Sequence, residues 1–464
     1  MKMACFTAAI ELLLSSVAFG NVWDKVLVLG ETDKENPVGY AVNEPIIMTF
    51  SSPNGEAAAA SGEYTFVWKR SGDDGIRETG RVPFHAGDFC VITTKLDRAG
   101  FVRFEGTVRD AQDKIVMRET FAPGCAAWTK NKSVFVDCGA GVAIDELEQE
   151  LPEPADFDAW WAKQKALLSK IAMVATRHQL PDVNGCHVYA ISVTCMPPRP
   201  VTGFLYIPAN ALAKSCAARV AFQGYGVYRQ GHPDWAAQQC VSNNEVFLEI
   251  NAHGAELDQP SDYYRVLEDS IRSHRYQYAF SPEENDRPEN SYFRGMAFRV
   301  MRALEFVKSL PEWNGQDLIV EGGSQGGLQT SWAAGLDPDV TLARPKVTWG
   351  CNFAMVSGAQ KRLKGTWHIP YAPGLAYYDA IYHIRRTKGA VEVTCAGLGD
   401  YTCPPSGLAM YYNAIPTPKS IRWFQGAQHG YFPPQSTIYT ISNGHQQTGV
   451  ESRSATASSA VKSN

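Results

Sequence analysis

The sequence predicts an α/β chain: a doubly wound, mostly parallel sheet preceded by a small all-β sandwich. Three observations predict it. From about 22 to 136 the chain breaks into short strand-like runs with no convincing helix. Beyond 156, short apolar runs alternate with helical patterns, as buried parallel strands and their crossovers should. Finally, Gly322-Gly323-Ser324-Gln325-Gly326 sits directly between one such strand and a helix.

At 464 residues the chain is long enough for two or three domains. Lys2, the apolar stretch Met3–Val17 and the small residues around Ala18-Phe19-Gly20 read as a signal peptide over 1–20, although Glu11 interrupts the apolar run. The expected location is therefore secreted or periplasmic. Removing Cys5 leaves ten of the 11 cysteines, an even number that suits an oxidising compartment. They are scattered without CxxC spacing, so neither a metal site nor a pairing scheme follows from them. A net charge of -5 gives no electrostatic reason to expect nucleic acid or an anionic membrane as partner. No apolar run approaches the ~20 residues that span a bilayer.

In the segment 21–140 the strand candidates are Ile46–Phe50, Tyr64–Lys69, Phe89–Lys95, Phe101–Val108 and Ile115–Thr120. Val102, Phe104 and Val108 alternate with Arg103, Glu105 and Thr107, the period of a half-buried strand. Several such strands suggest an immunoglobulin-like sandwich. An acidic, proline-containing stretch then reads as a linker over 141–155. Asp156 is placed to cap a helix over about 157–171, whose Trp160 and Trp161 fall on an apolar stripe that predicts core packing rather than a sugar platform.

The α/β region is expected over 156–441. Val188–Thr194 and Gly203–Ile207 form a candidate hairpin. Arg219–Phe222, Val246–Ile250, Asp317–Glu321, Lys346–Trp349, Val391–Ala396 and Ser420–Phe424 are strand candidates. Phe293, Met296, Val300, Leu304 and Val307 trace one face of a helix. The Ser-, Thr- and Gln-rich tail, 442–464, is expected to be disordered.

The chemistry centres on Ser324. A GxSxG turn between strand and helix is a nucleophile elbow, in which flanking glycines allow a tight turn and the serine backbone is strained. A serine hydroxyl needs a base, and in this arrangement the partners follow in the order Ser, acid, His. His429, in a loop just past Ser420–Phe424, is the expected base; His368, His383 and His445 sit in less suitable contexts. Asp400, reached from Val391–Ala396 through Gly397-Leu398-Gly399, is the expected acid, with Asp337, Asp339 and Asp379 as competitors. The oxyanion hole is expected from the backbone N–H groups of Gln325 and of Tyr225, in the Gln223-Gly224-Tyr225-Gly226 turn after Arg219–Phe222. Tyr225 and Trp367 are also candidate substrate contacts, with Tyr371 beside them. The segment from Glu256 to Asn290 reads as irregular and as a possible cover for the site.

Taken together, the elbow, Gly224-Tyr225, Gly399-Asp400 followed by Pro404-Pro405-Ser406, and Gly426-Ala-Gln-His429 resemble the acetyl xylan esterase and cephalosporin-C deacetylase family of α/β-hydrolases over roughly 156–432. Phe157-Asp-Ala-Trp-Trp161 and Tyr292-Phe-Arg-Gly295 also resemble segments of that family. The resemblance implies a cofactor-free serine carboxylesterase that deacetylates xylo-oligosaccharides and related small acetyl esters. Two departures stand out. Compact members carry Arg-Gly-Gln-Gly where this chain has Asn251-Ala-His-Gly254, and Glu after the histidine where it has Gly430. Because those features go with subunit assembly, a homo-oligomer is possible but the family's compact form is not implied.

Two other readings compete: a serine peptidase of the prolyl-oligopeptidase kind, and a catalytically inactive carbohydrate-binding protein. Because the expected triad and oxyanion loop all lie after Ala155, the sequence also predicts that the N-terminal sandwich is dispensable for chemistry on small esters.

Overall fold

The computed structural model describes residues 22–53, 62–85, 87–273, 275–355, 362–365, 367–443 and 445–447. The expected signal peptide and the tail beyond 447 lie outside the described residues.

Among the described residues, seven strands form the N-terminal unit: β1 (Leu29–Thr32), β2 (Ile46–Ser52), β3 (Thr65–Gly72), β4 (Arg77–Pro83), β5 (Gly87–Thr94), β6 (Gly100–Arg109) and β7 (Phe135–Val142). They pair antiparallel in two sheets, β1-β2-β5 and β4-β3-β6-β7. Phe50 of the first sheet meets Phe66 and Phe104 of the second at 5.1 and 5.9 Å, so the two sheets share one core. The expected alternation along β6 is present, with Val102, Phe104 and Val108 fully buried. Strand β7 escaped sequence reading because it is buried on both sides and carries Asp137 and two glycines instead of alternating residues. Ile115–Thr120, expected as a strand, makes only isolated bridges, Arg109 with Ile115 and Met117 with Ser133.

The third sheet has eleven strands among the described residues. In chain order they are β8 (Ala175–Val183), β9 (Cys186–Val193), β10 (Val201–Pro208), β11 (Cys216–Phe222), β12 (Glu245–Ile250), β13 (Trp313–Gly323), β14 (Leu342–Lys346), β15 (Ala390–Gly397), β16 (Lys419–Phe424), β17 (Ile438–Ser442) and β18 (His445–Gln447). Their spatial order is β18-β17-β16-β15-β14-β13-β11-β12-β10-β9-β8. The six central strands from β12 to β16 run parallel, and antiparallel pairs flank them on both sides. Lys346–Trp349, read as a strand, is the exit from β14 instead. The expected disordered tail begins with β18, which pairs with β17. Such pairing runs through the backbone, so a polar composition did not reveal it.

The helices are α1 (Phe157–Leu168), α2 (Asp234–Asn243), α3 (Ser261–Ser270), α4 (Tyr292–Lys308), α5 (Gln325–Leu336), α6 (Ala380–Ile384) and α7 (Pro405–Ala414). Along β10 and β12 the side chains alternate between two cores. Leu205, Ile207, Leu248 and Ile250 join the large core with α1, α4 and α5, whereas Phe204, Tyr206 and Phe247 pack with Ala236, Ala237 and Cys240 of α2. The sheet is thus covered on both faces, as a parallel sheet must be. Trp160 and Trp161 are core residues, 6% and 3% exposed. Asp156 precedes α1 as expected but accepts a hydrogen bond from the Tyr377 hydroxyl rather than capping the helix. The segment read as a linker is tied down, since Asn413 donates to the carbonyls of Ile144 and Leu147, and Arg386 pairs with Glu153. Among the described residues no helix is long and apolar enough to cross a membrane.

Candidate active site

The chain leaves β11 and moves outward to β12, then returns to place β13 on the other side of β11. The crevice beyond the carboxyl ends of β11 and β13 is therefore the switch point at which open α/β sheets place ligands. Ser324 follows β13, Tyr225 follows β11, Asp400 follows β15 and His429 follows β16. The topology brings all four to one edge of the sheet.

Ser324 has φ 57° and ψ -117°. Its backbone is fixed from both sides, with its N–H donating to Lys346 O at 2.9 Å and its carbonyl accepting from the N–H groups of Leu328 and Trp349 at 3.1 Å. The flanking glycines are required by contact. A Cβ on Gly322 would lie 2.6 Å from the Gly326 carbonyl, and one on Gly326 would lie 2.3 Å from Phe222 O. Helix α5 can thus press against the end of β11, which sets Gln325 beside the Gly224-Tyr225 turn.

Asp400 and His429 meet directly, with Nδ1 and Oδ2 2.9 Å apart. Oδ1 of Asp400 accepts from the N–H groups of Thr402 and Cys403 at 2.9 and 3.0 Å. The carboxylate is fully buried, so every lone-pair direction that the fold supplies with a donor is used. This arrangement places the imidazole proton on Nδ1 and leaves Nε2 as the acceptor. The Ser324 side chain lies beside the Cys403 thiol, whose pKa burial pushes well above the usual range while the serine hydroxyl opposes the shift. Among the described residues no hydrogen bond joins Ser324 to His429.

Asp400, Cys403 and His429 also put donor atoms within 4.8 Å of one another, a spacing compatible with a metal ion. The chemistry of the set argues against that use. Both Asp400 oxygens already accept hydrogen bonds, and burial holds Cys403 as the thiol rather than the thiolate a metal needs.

The N–H groups of Gln325 and Tyr225 make no hydrogen bond among the described residues. The Gln325 side chain, fully buried, ties their two segments together. Its amide donates to Gly224 O at 3.2 Å and its oxygen accepts from the Tyr278 hydroxyl at 2.9 Å. Tyr225 stacks on Tyr278 at 4.3 Å, and Trp367 meets it edge-on at 4.9 Å. Trp367 is 38% exposed and so lies at the rim of this aromatic cluster.

Sequence reading missed the supports of this turn. His253 Nε2 lies 3.1 Å from Gly226 O, and its Nδ1 lies 2.9 Å from the Tyr292 hydroxyl, which also accepts from Arg199. Burial lowers the His253 pKa to about 3, so the ring is neutral: Nε2–H donates to Gly226 and Nδ1 accepts from Tyr292. Asn251 holds Gln223 from the same Asn251–Gly254 turn. The departure noted in that turn is therefore a support for the Tyr225 loop. The segment 256–290 contains α3, whose Tyr264 and Leu267 face inward, and supplies Tyr278. Their spacing with Ile271 was the helical signal available in the sequence.

His383 and the competing acids are engaged elsewhere. His383 is buried in α6 among Phe157 and Trp161, with its pKa lowered to about 3 by burial. Asp379 caps α6 and accepts from the N–H groups of Asn352 and Phe353. Asp337 and Asp339 pair with Lys308.

The N-terminal unit reaches the same edge. Gln425 pairs with the backbone of Gly139 in both directions, accepting from its N–H at 3.1 Å and donating to its carbonyl at 2.9 Å. Gln428 donates to Asp137 at 2.7 Å, and Asp137 is held in turn by Arg103. These bonds join β7 to the loop that carries His429.

Residues 142–363 and 372–442 match the family described as acetyl xylan esterase (AXE1), more than half of the chain. Acetyl esterase Axe7A of Xylanibacter ruminicola is 24% identical over 288 residues; the match covers 60% of this chain and 64% of that protein's length, less than two thirds of the relative. Among solved structures, acetyl xylan esterase from Paenibacillus sp. R4 is similar at 25% identity with a TM-score of 0.51, covering 62% of this chain and 93% of that one. Acetyl xylan esterase 1 from Thermoanaerobacterium sp. JW/SL YS485 has the same TM-score at 19% identity, over 62% of this chain and 92% of its own, and bears on the fold alone.

Proposed function

The chain belongs to the acetyl xylan esterase family, and on that premise we propose that it is a secreted or periplasmic serine carboxylesterase of the α/β-hydrolase type, which removes acetyl groups from acetylated xylan, xylo-oligosaccharides or related small esters. The observation that carries the reading is the pairing of buried Asp400 with half-buried His429 at 2.9 Å, set on the same sheet edge as a strained serine elbow.

Catalysis then runs in two halves. The Ser324 hydroxyl turns from Cys403 toward His429, and Oγ attacks the acetyl carbonyl as Nε2 takes its proton. The carbonyl oxygen gains negative charge and is received by the N–H groups of Gln325 and Tyr225. Asp400 stabilises the imidazolium without taking its proton. When the tetrahedral intermediate collapses, the ester C–O bond breaks and His429 returns its proton to the leaving alcohol oxygen. Water then attacks the acetyl-serine as His429 takes its proton; the acyl C–Oγ bond breaks, His429 returns the proton to Ser324 Oγ, and acetic acid leaves. The base must begin each half neutral.

Tyr225 is wedged among Tyr278, Trp349 and Trp367, at 4.3, 5.6 and 4.9 Å. Beside the expected oxyanion donors this supports a short acyl slot. Longer acyl chains must displace packed rings, at a cost of about 1–3 kcal/mol. Matched aryl acetate, butyrate and octanoate esters should fall in that order in kcat/KM, by roughly ten- to two-hundredfold. Acetate release from acetylated xylan should accompany the aryl acetate activity. Constant or rising kcat/KM toward octanoate would reject the deacetylase reading and leave the serine mechanism standing; cleavage of peptidyl-proline substrates in place of acetates would favour the peptidase.

A further inference from the structure

Trp128 belongs to the N-terminal unit, in the single turn Ala127–Thr129, yet its ring stands against the turn that carries His429. The ring centroids are 6.2 Å apart with planes at 68°. The approach is built by the backbone. Ala126 N–H donates to Gly430 O at 2.8 Å, and Cys125 bridges Tyr431 in antiparallel fashion. Gly430 has φ 81°, and a Cβ there would lie 2.2 Å from Trp128 Cζ2, so the missing side chain after His429 is the space the indole occupies. The tryptophan is nevertheless 60% exposed. A large apolar ring fixed in place but left open to water is the arrangement of a binding platform rather than of a core residue.

We propose that Trp128 is the platform for the alcohol portion of the substrate, stacking on the pyranose ring whose acetyl group is removed. Which side of the substrate it meets follows from the chemistry. His429 hands its proton to the leaving alcohol oxygen, so the leaving group has to lie at His429, whereas the acyl group lies toward Gln325 and Tyr225. A residue that abuts the histidine from outside the hydrolase sheet is on the leaving-group side. A pyranose presents an apolar C–H face to an indole and keeps its hydroxyls at the wet rim. The N-terminal unit would thus complete the sugar site, through a position that the sequence reading of the catalytic region never considered. The inference rests on the acetyl-esterase reading and deepens it.

The test compares two esters on the full chain. Methyl acetate has a leaving group with no ring, and acetylated methyl β-xylopyranoside has one. Trp128→Ala should lower kcat/KM for the acetylated xyloside by about tenfold, mainly through KM, and leave methyl acetate unchanged. Trp128→Phe should restore most of the loss. Should the alanine variant fold poorly, Trp128→Leu fills the space over Gly430 without a flat ring and should show the same selective loss. Deacetylated xylobiose should inhibit methyl acetate hydrolysis more weakly in the variants than in the wild type. Equal losses on both esters would make Trp128 a support for His429 and overturn the proposal, as would unchanged xyloside kinetics. A wild-type chain inactive on both esters would sink the esterase reading and the platform with it, whereas an active wild type without selectivity in the variants would sink the platform alone.

Discussion

Ser324 pays for its position with backbone strain: a non-glycine residue at φ 57° and ψ -117° costs on the order of 1–3 kcal/mol and persists only where neighbours hold it. Here the Lys346 carbonyl and the Trp349 N–H do so. The placement of Ser324, Asp400 and His429 after strands was legible in the sequence, because β13, β15 and β16 before them read as apolar runs. His253, Tyr278 and the bridging side chain of Gln325 were not, because they act through contacts between segments far apart in the chain. Glu249 is another residue that only the fold explains. Burial raises its carboxyl from 4.5 to about 7, against a hydrogen bond from Gln230, and nearby Glu321 raises it further. A raised acid favours the native state below its unfolded pKa and loses that contribution as pH rises through about 7. Glu249→Gln, which removes the charge and keeps the shape, should therefore raise the melting temperature at pH well above 7 and change little at acidic pH. The same shift at both pH values would mean that the carboxylate is not the strained form.

At the scale of elements, the parallel strands other than β14 were readable as apolar runs, whereas β7 and β8 were not. β7 is buried on both sides and interrupted by glycine, and most of β8 is exposed on the sheet edge. The omission of β7 mattered most, because that strand holds the His429 loop through Gln425 and Gln428. Truncating Gln425 leaves the N–H and carbonyl of Gly139 unpaired in a buried place, at about 1–3 kcal/mol for each group. Gln425→Ala should lower the melting temperature and reduce kcat on a small aryl acetate more than it raises KM, since the loop carries the base and not the acyl slot. Wild-type kcat in a destabilised variant would show that the clamp serves stability only.

On the scale of the whole molecule, the two units meet beside the candidate active site. Arg103 lies over the Tyr401 ring at 4.4 Å, Phe101 packs on Trp423 at 5.6 Å, and a Cβ on Gly399 would lie 2.4 Å from Asp137 O. Sequence reading separated the units as two patterns, but a pattern of local periodicity carries no information about which faces dock. The account as a whole stands on Ser324 carrying the acetyl group between the two half-reactions. Mass spectrometry of the full chain, quenched during turnover of an aryl acetate, tests this directly. An acetyl adduct should appear on the peptide that contains Ser324, and Ser324→Ala should abolish it, lowering kcat by several orders of magnitude with unchanged thermal unfolding. A folded Ser324→Ala chain that releases acetate at the wild-type rate, or an adduct confined to another residue, would contradict the account.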